Sequence, residues 1–476
     1  MNEHPSALVH SGAELAELAV TLSTTTGCVA IVTDTAEANL RWAGNSLTTN
    51  GQMRRFTMVV IAIADVAATA EGDAGTAAVS VRGAVTGPDD VAVLVRAAEA
   101  GVRGTGPAED AQPLLTPEQT GTSPDFAHAS PGTTIEVFST FAPALGRAFA
   151  QARDEGVELF GFAEHTVATT WIATSTGVRL RHVQPTGRIE LNAKSPDFAR
   201  SAWVGQGTVD FADVDAEALY EQVRTRYGWS ANTVALPAGR YETILPPSAI
   251  ADLLIYAIWS ASAREAEEGR SVFAAKGGGT RIGERLSALP LTLSSDPSYP
   301  GIEAAPFAIA AASGGGMESV FDNGLPLRKV DWVRDGILTE LVRTRATAVG
   351  RDDVPAATDN LILTGDGTAD LDDMIAHTER GLLLTCLWYI REVDPEQLLL
   401  TGLTRDGVYL IEHGKVVGAV NNFRFNESPV GLLGRISEVS REERTLPREW
   451  NDWFTRTVMP AVRVPDFNMS TVSQAS

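Results

Sequence analysis

Residues 253–273 read LLIYAIWSASAREAEEGRSVF, an apolar run that turns abruptly charged just before a glycine. Ser248, behind Pro246 and Pro247, offers an N-cap and Gly269 a C′ residue, so the pattern predicts one helix over 248–268. Ile250, Leu253, Leu254, Ala257, Ile258 and Ala261 recur at helical spacing. Ile255, Tyr256 and Trp259 widen that stripe until the early turns are apolar nearly all round, which predicts burial inside a domain with the AREAEEGR end in solvent. Zinc needs lone pairs of His, Cys, Asp or Glu converging at about 2.0–2.3 Å, and the inner turns are read as offering none.

Around this helix the second half reads mainly as short strands: SVFAAK, PLTLSSD, GLPLRKVDWVRDGILTELV and GVYLIEHGKVVGAVNNFRF, with turns at Arg334-Asp335-Gly336 and Glu412-His413-Gly414. The first half alternates differently. A helix over 13–22 precedes the strand-like CVAIVTD, NLRWAGN and FTMVVIAIAD, with a turn predicted at Asn50-Gly51. VAVLVRAAEAGV and APALGRAFAQARDEG read as helices on either side of an irregular Gly/Pro/Ser/Thr connection over 104–133. ELFGFAEHTVATTWIATSTGVRLRHVQPTGRIELNAK then reads as an antiparallel meander turning at STG and PTG, followed by a helix in VDAEALYEQVRTRYG. The proline-punctuated ALPAGRYETILPP marks a boundary near 234. The expected fold is α+β: an N-terminal α/β domain over 1–233 with an antiparallel meander, and a C-terminal, mainly antiparallel, barrel-like β domain over 234–476 around a buried central helix.

The length of 476 residues suits two or three domains at roughly 100–200 residues each, and 44% hydrophobic with 21% charged residues is ordinary globular composition. With 38 Lys and Arg against 60 Asp and Glu, the formal net charge is -22, which argues against nucleic acid or an anionic membrane as partner. MNEHPSALVHSGAELAELAV lacks the charged and apolar regions of a signal peptide, so a cytoplasmic protein is expected. Cys28 and Cys386 lie in apolar settings without a CxxC neighbour and read as buried thiols.

Motifs of known chemistry are sparse. The seven histidines, His4, His10, His128, His165, His182, His377 and His413, nowhere take the HExxH spacing of zinc helices. Glu164-His165 falls in a strand pattern, where neighbours face opposite ways, and reads as a surface pair. Neither G-x-S-x-G nor G-x-x-x-x-G-K-[ST] occurs, and the glycine-rich KGGGTRIG (276–283) and SGGGME (313–318) sit among strands rather than before a helix, unlike a phosphate cradle. In GDGTADLDDMIAHTERG the spacing of Asp366, Asp370, Asp372 and Asp373 does not fit a calcium loop; Thr368 reads as an N-cap with the later aspartates at the positive end of a helix.

LPAGRYETILPPSAIADLL, then RSVF with a glycine-rich turn and LTLSSDPSYPG, then VFDNGLPLRKVDWVRDGILTELV, and finally GVYLIEHGKVVGAVNNFRF, in that order, resemble the TldD/PmbA family of bacterial metallopeptidases. The resemblance covers most of 234–440. It implies one of two subunit types that pair as a heterodimer: a TldD type carrying HExxxH before the SVF-like segment, or a TldE (PmbA) type without it. Placed by the SVF at Ser271, the positions of the first His, the Glu and the second His are Leu254, Ile255 and Trp259. The TldD type also takes a zinc ligand from a cysteine near its C-terminus, whereas the tail MPAVRVPDFNMSTVSQAS has none.

The resemblance therefore implies a non-catalytic TldE-like subunit with no catalytic or metal residue of its own, beside a TldD-like partner that holds the zinc and cleaves unfolded or precursor peptides. An extended peptide captured by strand addition would pass the loop at Gly314, Gly315 and Gly316. Two other readings stay open: a stand-alone metallopeptidase with a displaced site using His128, His165, His182 or His377, and a regulatory protein of the gyrase-modulator type.

Overall fold

The computed structural model describes residues 10–67 and 74–473. Two sheets organise the described residues. The first is six-stranded and antiparallel throughout, built from β1 (Gly27–Ala43), β2 (Ser46–Val66), β3 (Gly75–Ala84), β4 (Glu158–Thr174), β5 (Arg179–Lys194) and β6 (Ser201–Thr208) in the order β3-β2-β1-β4-β5-β6. Alternation along β1 assigns its faces. Cys28, Ala30 and Val32, then Ala38, Leu40 and Trp42, face the helices, where α1 (Gly12–Leu22) and α2 (Pro88–Val102) cover one half of the sheet. The short α3 (Pro117–Thr120) lies in the connection, and α4 (Phe141–Asp154) with α5 (Ala216–Trp229) covers the other half. Val29 and Ile31 point the opposite way and, with Ile61 and Ile172, pack on Phe307, Val320 and Phe321 of the C-terminal half. One strand thus serves two cores.

The second sheet has fourteen strands and begins at Thr233–Val234. Most of its pairings are antiparallel. Three are parallel, including Gly239–Leu245 with Arg380–Leu384, so the sheet is mixed. Its longest strand, Thr457–Val472, pairs with four others and branches the sheet rather than closing it into a simple barrel. Against this strand packs α6 (Pro247–Trp259), in a core that includes Leu253, Leu254, Ile255, Val462 and Phe467.

The helix predicted over 248–268 is two. α6 starts one residue earlier, with Pro246 as N-cap and Pro247 at N1 rather than Ser248 as cap, and it ends at Ser260. A second helix, α7 (Ala263–Glu267), follows, and Gly269 closes it at φ +77°. The reason lies in the two serines. The Ser260 hydroxyl donates back to the Tyr256 carbonyl, and Ser262 accepts from the Glu265 amide as a new N-cap. Between them Val342 bonds both Ala261 and Ala263, drawing the chain out into a bridge between Ser262 and a segment remote in sequence.

Two turn expectations and one helix cap also change. β1 and β2 turn at Gly44-Asn45 (φ +58° and +60°), not at Asn50-Gly51, because the buried Asn45 amide bonds Val157, just before the neighbouring strand β4, and Leu159 within it. β5 runs straight through Pro185-Thr186-Gly187, which face Val167, Thr166 and His165. Proline is tolerated there because β6 pairs with β5 only from Gly187 onward, leaving Pro185 at a free edge. The helix α8 (Leu371–Ala376) is capped by Asp370, reciprocally with Asp373, and not by Thr368.

Candidate functional site

The C-terminal end of α6 is where the molecule opens. Leu254 and Ile255 are fully buried, whereas Trp259 is 40% exposed on the last turn, where it borders two clefts. One, of about 730 Å³, is bounded by Tyr256, Trp259 and Trp450. The other, of about 590 Å³, lies between the halves of the chain, with Thr170, His182 and Gln184 on one wall and Ile258, Trp259, Phe307 and Trp453 on the other. Gly314, Gly315 and Gly316 line a third cleft of about 510 Å³ beside Arg264 and Glu318. Glu318 reaches both this cleft and the second, and burial raises its pKa. At Gly316 (φ +71°) a Cβ would sit 2.9 Å from Ser262 Oγ, so the loop presses against the break between α6 and α7.

The wall of the second cleft carries a strand-like segment, residues 305–310. Its Pro306, Ala308 and Ala310 groups bond Leu327, Leu325, Gly324 and the Asn323 side chain. Alternation turns the backbone groups of Phe307 and Ile309 to the other side, where they take no partner among the described residues.

The expectation that the inner turns of α6 hold no metal-type side chain is corrected by Asp252. Its carboxylate is fully buried, Oδ1 accepting from the Glu449 amide at 2.9 Å and Oδ2 unpartnered, and burial holds its pKa well above the usual carboxylate range. The Asp252 carbonyl also accepts from the Trp450 indole at 2.8 Å. This one residue therefore seats the Glu449–Trp450 segment on the helix, and the quoted stretch, which begins at Leu253, gives no sign of it.

The histidines are dispersed. His165 is 5% exposed, not a surface residue, with Nδ1 2.6 Å from Thr133 Oγ1 and Nε2 2.9 Å from the Val209 carbonyl, while Glu164 faces Arg188. Desolvation lowers the pKa of both His165 and His182; His182 meets Gln184, and His377 meets Glu438 at 2.9 Å. His128 is on the exposed connection, and His4 lies outside the described residues. Among the described residues no three His, Cys, Asp or Glu side chains come together as a metal ion requires. The segment over 276–283 forms an exposed turn closed by the Ala274–Thr280 bridge. Cys28 and Cys386 are both buried, which raises their thiol pKa values to about 11 and about 12. Among the described residues no helix is long and apolar enough to cross a membrane.

A mixed sheet packed on a helix that ends between clefts is, by comparison, a metallopeptidase-type architecture: residues 238–471 match the model of the PmbA/TldA metallopeptidase C-terminal domain. Through this domain the chain belongs to the TldD/PmbA family. No curated protein matches the chain. Among solved structures, TldE from Thermococcus kodakarensis superposes with a TM-score of 0.73 at 17% identity, covering 95% of this chain and 98% of that one. A proposed modulator of DNA gyrase from Bacteroides thetaiotaomicron gives 0.73 at 14% identity (96% and 98% covered). Another from Thermotoga maritima gives 0.68 at 16% identity (93% and 95% covered). These likenesses extend the shared fold over both halves of the chain.

Proposed function

We propose that this chain is a TldE-type subunit of a TldD/TldE metalloprotease, holding no zinc itself and acting on extended peptides beside a TldD-like subunit that does. The observation that carries the reading is the chemistry of three positions. Where the family resemblance places the first His, the Glu and the second His, α6 has Leu254, Ile255 and Trp259, and the first two are sealed in the core. A zinc-bound water needs ligands to hold the metal and a base to take the proton, and none of these three side chains has a lone pair to offer.

The helix then serves as scaffold. The free backbone groups of Phe307 and Ile309, lining the cleft between the halves, suit an extended peptide that adds as a strand, with the Gly314–Gly316 loop leaving room beyond it. The test is to purify the chain alone and co-expressed with a TldD-like protein of the same organism, then measure bound zinc and cleavage of an unfolded peptide. Zinc and activity only in a co-purifying complex are expected. Zinc-dependent cleavage by the isolated chain would overturn the reading.

A further inference from the structure

The cleft of about 730 Å³ at the end of α6 has a chemistry that the proposed function leaves unused. Tyr256, Trp259 and Trp450 form a triangle of mutually tilted rings, with centroids 5.1 Å apart for Trp259–Trp450, 5.8 Å for Tyr256–Trp450 and 6.2 Å for Tyr256–Trp259. Ring faces attract cations through their quadrupoles. Glu392 and Glu396 also line the cleft, are exposed, and have no cationic partner among the described residues. Its two arginines are already engaged: Arg270 with Glu268 and Glu265, and Arg391 with the Ile390 carbonyl and Glu449. Ser260, the C-cap of α6, completes the wall, so the negative end of a thirteen-residue helix points at the same space. Rings, free carboxylates and helix dipole all favour positive charge.

Trp259 is also a wall of the neighbouring cleft, the one with the unpaired edge at Phe307 and Ile309. We infer that the aromatic cleft receives the cationic side chain, arginine or lysine, of the extended peptide that lies along that edge, so that this chain selects peptides with a basic residue. The inference rests on the peptide-binding part of the proposed function. Trp259, at the position of the second zinc-ligand histidine in TldD-type chains, then acts as a recognition residue.

The probes are two peptides labelled at the N-terminus with tetramethylrhodamine, Gly-Val-Arg-Val-Gly-amide and its citrulline counterpart, which keeps the shape and removes the charge. They are titrated by anisotropy into the full chain and into the Glu392→Gln/Glu396→Gln and Trp259→Leu variants, with circular dichroism and melting confirming that each variant folds. The arginine peptide is expected to bind roughly fivefold or more tighter than the citrulline peptide, the scale of a partly desolvated cation–π contact, and to lose that margin in both variants and with added salt. Equal binding of the two peptides overturns the inference and leaves peptide capture standing. Binding of neither at millimolar concentration overturns both, and an arginine preference unchanged in both variants overturns the assignment to this cleft.

Discussion

Replacing Ile255 by glutamate restores the residue type that a TldD-type helix carries at this place, and the surroundings dictate the outcome. Ile255 is fully buried in the core that α6 shares with Val462 and Phe467. Losing its apolar side chain costs about 2 kcal/mol of transfer free energy. Buried glutamates have pKa values near 8 against about 4.3 in the unfolded chain, so keeping the carboxyl protonated at about pH 7 costs a further ~3.7 kcal/mol. The sum, about 6 kcal/mol, is comparable to the whole stability of many domains at roughly 5–15 kcal/mol. The second contribution has a definite pH dependence. A folded pKa raised above the unfolded value penalises folding increasingly as pH climbs between the two, so near pH 5 this part shrinks to about 1 kcal/mol. Urea unfolding of Ile255→Glu and of an Ile255→Leu control, followed by tryptophan fluorescence at both pH values, reads this directly. The reasoning is refuted if Ile255→Glu loses less than about 1 kcal/mol at neutral pH, or loses the same amount at both.

Asp252→Asn removes a buried carboxyl whose pKa is raised in the fold, so its advantage over the wild type should grow with rising pH and vanish near pH 4 or below, the unfolded range of about 3.9; melting temperatures across pH check this. Asp322, 5% exposed, is bonded by the Arg345 guanidinium at 2.7 Å, and Arg345 also reaches the Pro113 carbonyl of the first half, so Asp322→Asn should cost about 3–5 kcal/mol in chemical denaturation. Cys28 and Cys386, buried with raised thiol pKa values, should resist a thiol reagent in the native chain at neutral pH and both react after unfolding, as counted by released chromophore.

What could be read from residue order was whatever depends on near neighbours. The alternation of β1, the apolar surround of α6 and the hairpin at Asp335-Gly336 all follow from periods and turn residues within a few positions. What could not be read depends on partners far along the chain. α6 breaks at Ser260 because Val342 competes for the backbone beyond it, and β1 turns at Gly44-Asn45 because Val157 and Leu159, at the start of strand β4, supply partners for the Asn45 amide. The aromatic cleft was invisible for the same reason: Trp450 lies 198 residues from Asp252, whose carbonyl holds its indole. The significance of Leu254, Ile255 and Trp259 came from the order of family-like segments, since periodicity reads all three simply as apolar helix.

The sharing of β1 between two cores constrains how anything enters this molecule. The segment that walls the central groove is fastened, through Phe307, Val320 and Phe321, to the back of the first sheet, so its position is tied to that of the first half of the chain. Opening it as a jaw would strip apolar surface from Val29, Ile31, Ile61 and Ile172 and forfeit about 25 cal/mol for every Å² exposed. On the peptide-binding reading proposed above, an extended chain laid along the groove leaves that packing intact. On the same reading, a folded protein would gain entry only at the expense of this buried apolar surface, so the depth of the shared core would itself select for unfolded substrates.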